Sequence, residues 1–292
     1  MRRAFTSTMS RLLADDERCI LLLGDIGVFG FRVIAEKKPA SVLNMGILEQ
    51  AMIGFAAGLA MDGRIPVVHS IAPFIVERCL EQLKIDFGYQ QLSGKFVSVG
   101  ASFDYASLGC THHCPADIGT LLGIPGMEIV VPGNGEEFNI LFTNSYDNGN
   151  STYYRLSETT NVSTQDVSFG KACLLREGTQ GTVVAIGPTL DLALNASEHL
   201  DVSVIYVTTL RPFDHQALRE VTKNLRVFVF EPFYEGTVYP DVLTAFSGLK
   251  VGISGKGVPR RFLENYGTRD EHLLDLGFDI GIVRSELEAF FS

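Results

Sequence analysis

The sequence predicts an α/β protein of two domains, each a mainly parallel sheet flanked by helices. Three observations predict it. Short apolar runs of strand length alternate with segments of helical period. The connections between them are short, and 29 glycines in 292 residues suit many tight strand-to-helix turns. The alternation then stops at a polar stretch, residues 157–168, and restarts beyond it. Strand–helix alternation with short connections favours parallel sheets covered on both faces.

The elements follow in order along the chain. Residues 19–23 are an apolar run ending at Gly24 and Asp25, a buried strand and its turn. Residues 41–44 read as a short strand. Residues 47–61, rich in Ala, Gly, Leu and Met, predict a closely packed helix, and 65–69 the next strand. Phe74, Cys79, Leu80, Leu83 and Phe87 recur at helical spacing and predict a helix over 74–87. Strands at 95–99, 128–131 and 152–156 alternate with helices at 116–122 and 136–146. Residues 157–168 carry Ser, Thr, Asn and Gln with few apolar anchors, as a linker does. Beyond them, strands at 181–186, 202–207, 226–230 and 249–253 alternate with helices at 189–199, 216–221 and 238–246. Residues 269–276 and 282–291 read as closing helices. The expected units are residues 1–158 and 169–292, joined by a linker at 159–168. The basic run from Gly255 to Arg261 reads as a solvated loop, with subunit contact as its alternative.

Composition narrows the function. The net charge of −10 argues against nucleic acid or an anionic membrane as the main partner. No apolar run reaches the ~18 residues of a membrane span. The start, Met1 to Thr6, lacks an apolar core, and Asp15, Asp16 and Glu17 follow, so no signal peptide is expected. Five scattered cysteines give no disulfide framework. The expected location is a reducing cytoplasm.

The most informative stretch is Asn44-Met45-Gly46-Ile47-Leu48-Glu49-Gln50, followed by Gly54-Phe55-Ala56-Ala57-Gly58-Leu59-Ala60. A strand ends, Gly46 turns the chain, and a small-residue helix begins with a carboxylate in its first turn. On spacing alone that acid complements the helix dipole and caps free amides. Gly24, Gly27 and Gly30 are spaced three apart, unlike a nicotinamide fingerprint. Cys110, His112, His113 and Cys114 raise a zinc reading, but tetrahedral sites usually draw ligands from two separated clusters.

These stretches together resemble the transketolase family, with the deoxyxylulose-phosphate synthases and the beta chains of 2-oxo-acid dehydrogenases. Gly46 to Gln50 is similar to its Gly-Ile-x-Glu-Gln signature, and the following helix to its Ala-Ala-Gly-Leu-Ala pattern. The resemblance implies that Glu49 hydrogen-bonds the pyrimidine N1′ of thiamine diphosphate. A carboxyl sharing a proton with that ring activates the cofactor towards a carbonyl. Residues 65–82 resemble the family's strand and aromatic loop. Phe74 matches the ring that stacks on the pyrimidine, and Ile71 stands where transketolases often place another Phe. His69 has two readings, a ligand contact or a strand-end histidine. Leu108 to Pro115 resembles the Gly-x-Thr-His loop, which puts His112 on the substrate as a proton shuttle, with His113 a weaker candidate. Asp25 lies on the loop that lines the cofactor in this reading. Leu210-Arg211-Pro212-Phe213-Asp214 and residues 262–283 are similar to the family's C-terminal domain, so the resemblance covers essentially the whole chain.

Three departures from the family pattern shape the expectation. The family's Gly-Asp-Gly stretch, which holds magnesium and the diphosphate, is missing. The resemblance therefore implies a split enzyme with an N-terminal diphosphate-binding partner subunit, two copies of each chain, and magnesium held mainly by the partner. This chain's own metal ligands are expected to be none. Leu108 replaces an Asp, and Glu158 stands where an Arg usually binds a substrate phosphate, so an unphosphorylated acceptor is expected. The implied activity is transfer of a two-carbon ketol unit from a ketose to an aldehyde. The alternatives are a 2-oxo-acid dehydrogenase beta chain or acyloin synthase, and a non-catalytic scaffold subunit.

Overall fold

A computed structural model describes residues 1–292. The first part of the chain supplies β1 (Cys19–Leu23), β2 (Val42–Asn44), β3 (Ile65–Ile71), β4 (Lys95–Val99), β5 (Glu128–Val130) and β6 (Thr152–Arg155). The second supplies β7 (Ala172–Arg176), β8 (Thr182–Ile186), β9 (Ser203–Val207), β10 (Thr209–Arg211), β11 (Arg226–Tyr234) and β12 (Gly252–Val258). A seven-stranded sheet runs β10-β5-β6-β4-β3-β1-β2, and a five-stranded sheet runs β12-β11-β8-β9-β7. Pairing is parallel throughout except for β10 on β5 and β7 on β9. β1, β4, β8 and β9 are buried at every position. Continuous burial of that kind marks strands covered on both faces.

The covering helices are α1 (Arg2–Asp15), α2 (Val28–Lys37), α3 (Glu49–Met61), α4 (Leu80–Gln82), α5 (Asp117–Leu121) and α6 (Gly135–Ser145) on the first sheet. On the second they are α7 (Leu190–Ala196), α8 (His215–Val221), α9 (Tyr239–Ala245), α10 (Arg269–Asp275) and α11 (Ile280–Phe291). α1, which the strand–helix reading passes over, buries Phe5, Thr8, Met9, Leu12 and Leu13 as one stripe. Phe5 meets Phe31 of α2 and Phe138 of α6 edge-on. The helix expected over 74–87 is not continuous. Two π-helical segments, Pro73–Glu77 and Leu83–Tyr89, flank the short α4. A π turn closes on i+5, so it shifts side chains relative to an α-helical register.

The domains are fastened together rather than tethered. Asn161, within the expected linker, is buried and donates to the Gly187 carbonyl and to Tyr206. β10 leaves the second half of the chain to pair with β5 of the first sheet. Gly187 adopts φ +51°, and a Cβ there would lie 2.6 Å from Val131 Cγ1 and 2.7 Å from its carbonyl oxygen. Only glycine permits that approach. Each large apolar cluster contains residues of both domains, for example Phe138 with Leu190, and Ile129 with Leu210. The loop expected at 255–261 is corrected in part. Gly255 to Val258 belong to β12, paired with β11, and Lys256 turns to Glu286 at 3.0 Å.

Candidate active site

Glu49 opens α3. Gly46, at φ +72°, turns the chain between β2 and that helix. The Glu49 side chain is 2% exposed. Arg78 Nη1 donates to its Oε2 at 2.8 Å, and Ser70 Oγ, from the end of β3, reaches Oε1 at 3.4 Å. A buried carboxylate needs such compensation. Arg78 follows the π-helical turn that carries Phe74, and its Cζ stands 4.1 Å from the Phe74 ring centroid. The guanidinium is thus a planar group of N–H donors stacked on an aromatic face and hydrogen-bonded to a carboxylate.

His112 completes the same wall. Its ring meets Phe74 edge-on at 5.3 Å and Tyr105 at 6.3 Å, and Nδ1 lies 2.9 Å from Thr111 Oγ1. Ile71, at the end of β3, and Tyr105 both close in on Gly100, where a Cβ would lie 3.0 Å and 2.6 Å from their side chains. Glu49, Arg78, Phe74 and His112 are therefore linked contact by contact, with Tyr105 and Ile71 next to them.

The other expected residues fall elsewhere. His69 is wholly buried, with Nδ1 2.8 Å from the Val97 carbonyl, Nε2 without a partner, and Phe5 packed on its ring. Burial pulls its imidazole down to about 4. His69 is thus a buried residue inside β3 rather than at its end, with no open face towards the Phe74 wall. His113 turns away from Phe74 and packs edge-on against His272 of α10 at 5.7 Å. Burial lowers its imidazole as well. Asp25, at φ +55°, is exposed and exchanges hydrogen bonds with Asn44, at 3.1 Å through its own N–H and 3.0 Å through its carboxylate. Cys110 is exposed while Cys114 is buried. Burial pushes the Cys114 thiol well up. No group of three or more His, Cys, Asp or Glu side chains is placed to hold a metal ion.

Arg78, Ser70 and Tyr105 do not stand out as site residues in the sequence. The signal for Arg78 is its place four residues after Phe74, which brings it over the ring in this π-helical segment. The assembled groups can hold a flat heterocycle against Phe74, share a proton with it at Glu49, and move a second proton at His112.

Residues 1–160 match the family model for the transketolase pyrimidine-binding domain, and residues 170–272 that for the transketolase C-terminal domain. Over 99% of its length the chain is 36% identical to an uncharacterized 33.6 kDa protein in the fasciation locus of Rhodococcoides fascians, of which it covers 94%. Over 76% of its length it is 31% identical to an apulose-4-phosphate transketolase subunit of Phocaeicola vulgatus, of which it covers 75%. A solved split-gene transketolase, described as an inactive beta4 tetramer, shares the fold at 23% identity, with a TM-score of 0.86 over 99% of this chain and 97% of that one. No helix is long and apolar enough to cross a membrane.

Proposed function

Since the chain belongs to the transketolase family, we propose that it is the C-terminal-type subunit of a split thiamine-diphosphate enzyme, transferring a two-carbon ketol unit from a ketose donor to an aldehyde acceptor. In this reading residues 1–158 hold the cofactor's pyrimidine, 159–168 connect, and 169–292 form the C-terminal-type domain. One observation carries the reading. Arg78 shows that the space between Phe74 and Glu49 accepts a planar group that stacks on the ring and donates to the carboxylate. An aminopyrimidine has that shape.

When bound, thiamine diphosphate supplies the carbon nucleophile for carbonyl chemistry. The chain's part is to bind, orient and move protons. Glu49 shares a proton with the pyrimidine N1′, and its burial keeps competing water away. Phe74 offers its ring face, and Ile71 lines the approach. His112 moves a proton at the substrate's hydroxyl or carbonyl oxygen. The diphosphate and magnesium are assigned to a partner subunit, two of each chain forming a closed assembly. The exposed Ile47 and Leu48 flank Glu49 and supply apolar surface for it. Glu158 donates its N–H to Asp104, and the two acids sit side by side, which supports an unphosphorylated acceptor.

The test is a transfer assay with the diphosphate-binding partner present. The reading expects ketol transfer to short unphosphorylated aldehydes, abolished by Glu49→Gln. Decarboxylation of a 2-oxo acid with acyl transfer to a lipoyl group would replace it with the dehydrogenase alternative. Full activity in Glu49→Gln would remove it.

A further inference from the structure

Apart from the Glu49 site, the two domains line an open-mouthed cavity of about 180 Å³. Ser102, Asp104 and Arg155 face it from the first domain, and Leu192, Arg269 and Phe278 from the second. Arg155 is only 1% exposed. Its Nε donates to Asp117 Oδ2 at 2.7 Å, and its Nη2 to Ser102 Oγ at 2.6 Å and to the Pro232 carbonyl at 3.2 Å. Nη1 makes no side-chain hydrogen bond, yet it is not among the polar atoms sealed in packed interior. Arg155 is one of the residues that line the cavity. A guanidinium N–H at a cavity wall takes an oxygen acceptor there, from water or from a ligand.

Three features define what would satisfy it. The donor calls for an oxygen acceptor. The charges call for an uncharged one: Asp117 already neutralises Arg155, Asp270 holds Arg269, and Asp104 lies on the same wall. A further carboxylate would meet Asp104 on that wall. The remaining wall is mainly apolar. An apolar cavity of about 150 Å³ is known to hold benzene, so this one takes a single ring or a short branched chain with one polar end.

We propose that this interdomain cavity binds a small uncharged carbonyl compound, its oxygen accepting from Arg155 Nη1 and its apolar body lying against Leu192 and Phe278. Asp117, the partner of Arg155, opens α5 shortly after His112 and His113. A ligand here sits one ion pair away from the loop that carries them.

The test uses the full chain and three probes of equal ring size. Benzamide has the neutral carbonyl, toluene has no acceptor, and benzoate carries the charge. Isothermal titration should show benzamide binding, with toluene at least about tenfold weaker for want of a hydrogen bond to a charged donor. Benzoate should also be weaker than benzamide. Leu192→Phe narrows the cavity and should weaken benzamide binding with little change in the unfolding midpoint. Intermolecular NOEs from the benzamide ring to the Leu192 methyls of the unaltered chain give an independent check on location. Absence of benzamide binding, or of those NOEs, would overturn the proposal, leaving a cavity that holds water alone. Toluene binding as tightly as benzamide would remove Arg155 from it, and a preference for benzoate would make the cavity an anion site instead.

Discussion

Arg78→Ala removes two contacts from the Glu49 site at once. Arg78 Nη1 donates to Glu49 Oε2 at 2.8 Å, and its guanidinium stacks on Phe74 at 4.1 Å. Stripping the partner from a fully buried charge costs about 3–5 kcal/mol. The Arg78 side chain is 43% exposed, so solvent screens this pair, and the expected cost falls to about 1–2 kcal/mol. Loss of the stacking adds about 0.5–1 kcal/mol. Arg78→Ala should therefore destabilise the chain by about 2 kcal/mol in all. Glu49→Gln, which leaves Arg78 free to turn to solvent, should cost less. Urea unfolding of the four chains of a double-mutant cycle separates the pair from its parts, with an expected coupling of about 1 kcal/mol. Arg78→Lys keeps the charge but loses the planar stacking and should fall between the parent and Arg78→Ala. A coupling below about 0.3 kcal/mol, within the error of additive sites, would refute the linkage of Glu49 to Arg78.

Three further outcomes follow from the packing. His69 is neutral in the fold, its folded value near 4 lying below the ordinary 6.5. The unfolded chain therefore binds the extra proton over that interval, so this contribution is complete above pH 6.5 and declines as the pH falls towards 4. The loss amounts to roughly 3 kcal/mol, and His69→Phe should flatten that acid limb in urea titrations at pH 4 to 7. Gly187→Ala forces a Cβ into Val131 and a non-glycine residue into φ +51°. It should lower stability by about 2 kcal/mol or more, read as a thermal midpoint shift, because the clash involves backbone at the domain interface. Lys95 is buried, and its Nζ donates to Asn148 Oδ1, the Asn150 carbonyl and Thr152 Oγ1. Lys95→Met, which strands three acceptors beside Glu128, should cost about 3 kcal/mol in calorimetric unfolding.

The central strands were legible because buried parallel strands are plain apolar runs. β1 and β4 coincide with their expected bounds, and β8 and β9 differ by one residue at the start. What stayed hidden depends on long-range contact. β10 is three residues that become a strand only by crossing to β5. The strand expected at 249–253 lies instead at Gly252–Val258, where glycines and Lys256 hide it until β11 supplies the ladder. α2 buries only Phe31, too little to show a stripe. At the candidate site, the family resemblance pointed to Glu49, Phe74 and His112, whereas spacing alone left Glu49 as a helix-dipole acid. It could not show that Arg78 reaches both Glu49 and Phe74, because that contact depends on the π turn and on β3 lying beside α3. The resemblance ranked His112 above His113 without showing where either ring lies. Adjacent residues of one loop face different domains, and only the position of α10 decides which of them meets His272.

The most direct test of the account is calorimetric titration of thiamine diphosphate with magnesium into this chain, alone and with its diphosphate-binding partner. The account predicts tight binding only in the presence of the partner, lost on Glu49→Ala while the chain stays folded and paired. Absence of binding to a folded, paired complex, or binding that Glu49→Ala leaves unchanged, would contradict it and favour a scaffold that kept the fold without the chemistry.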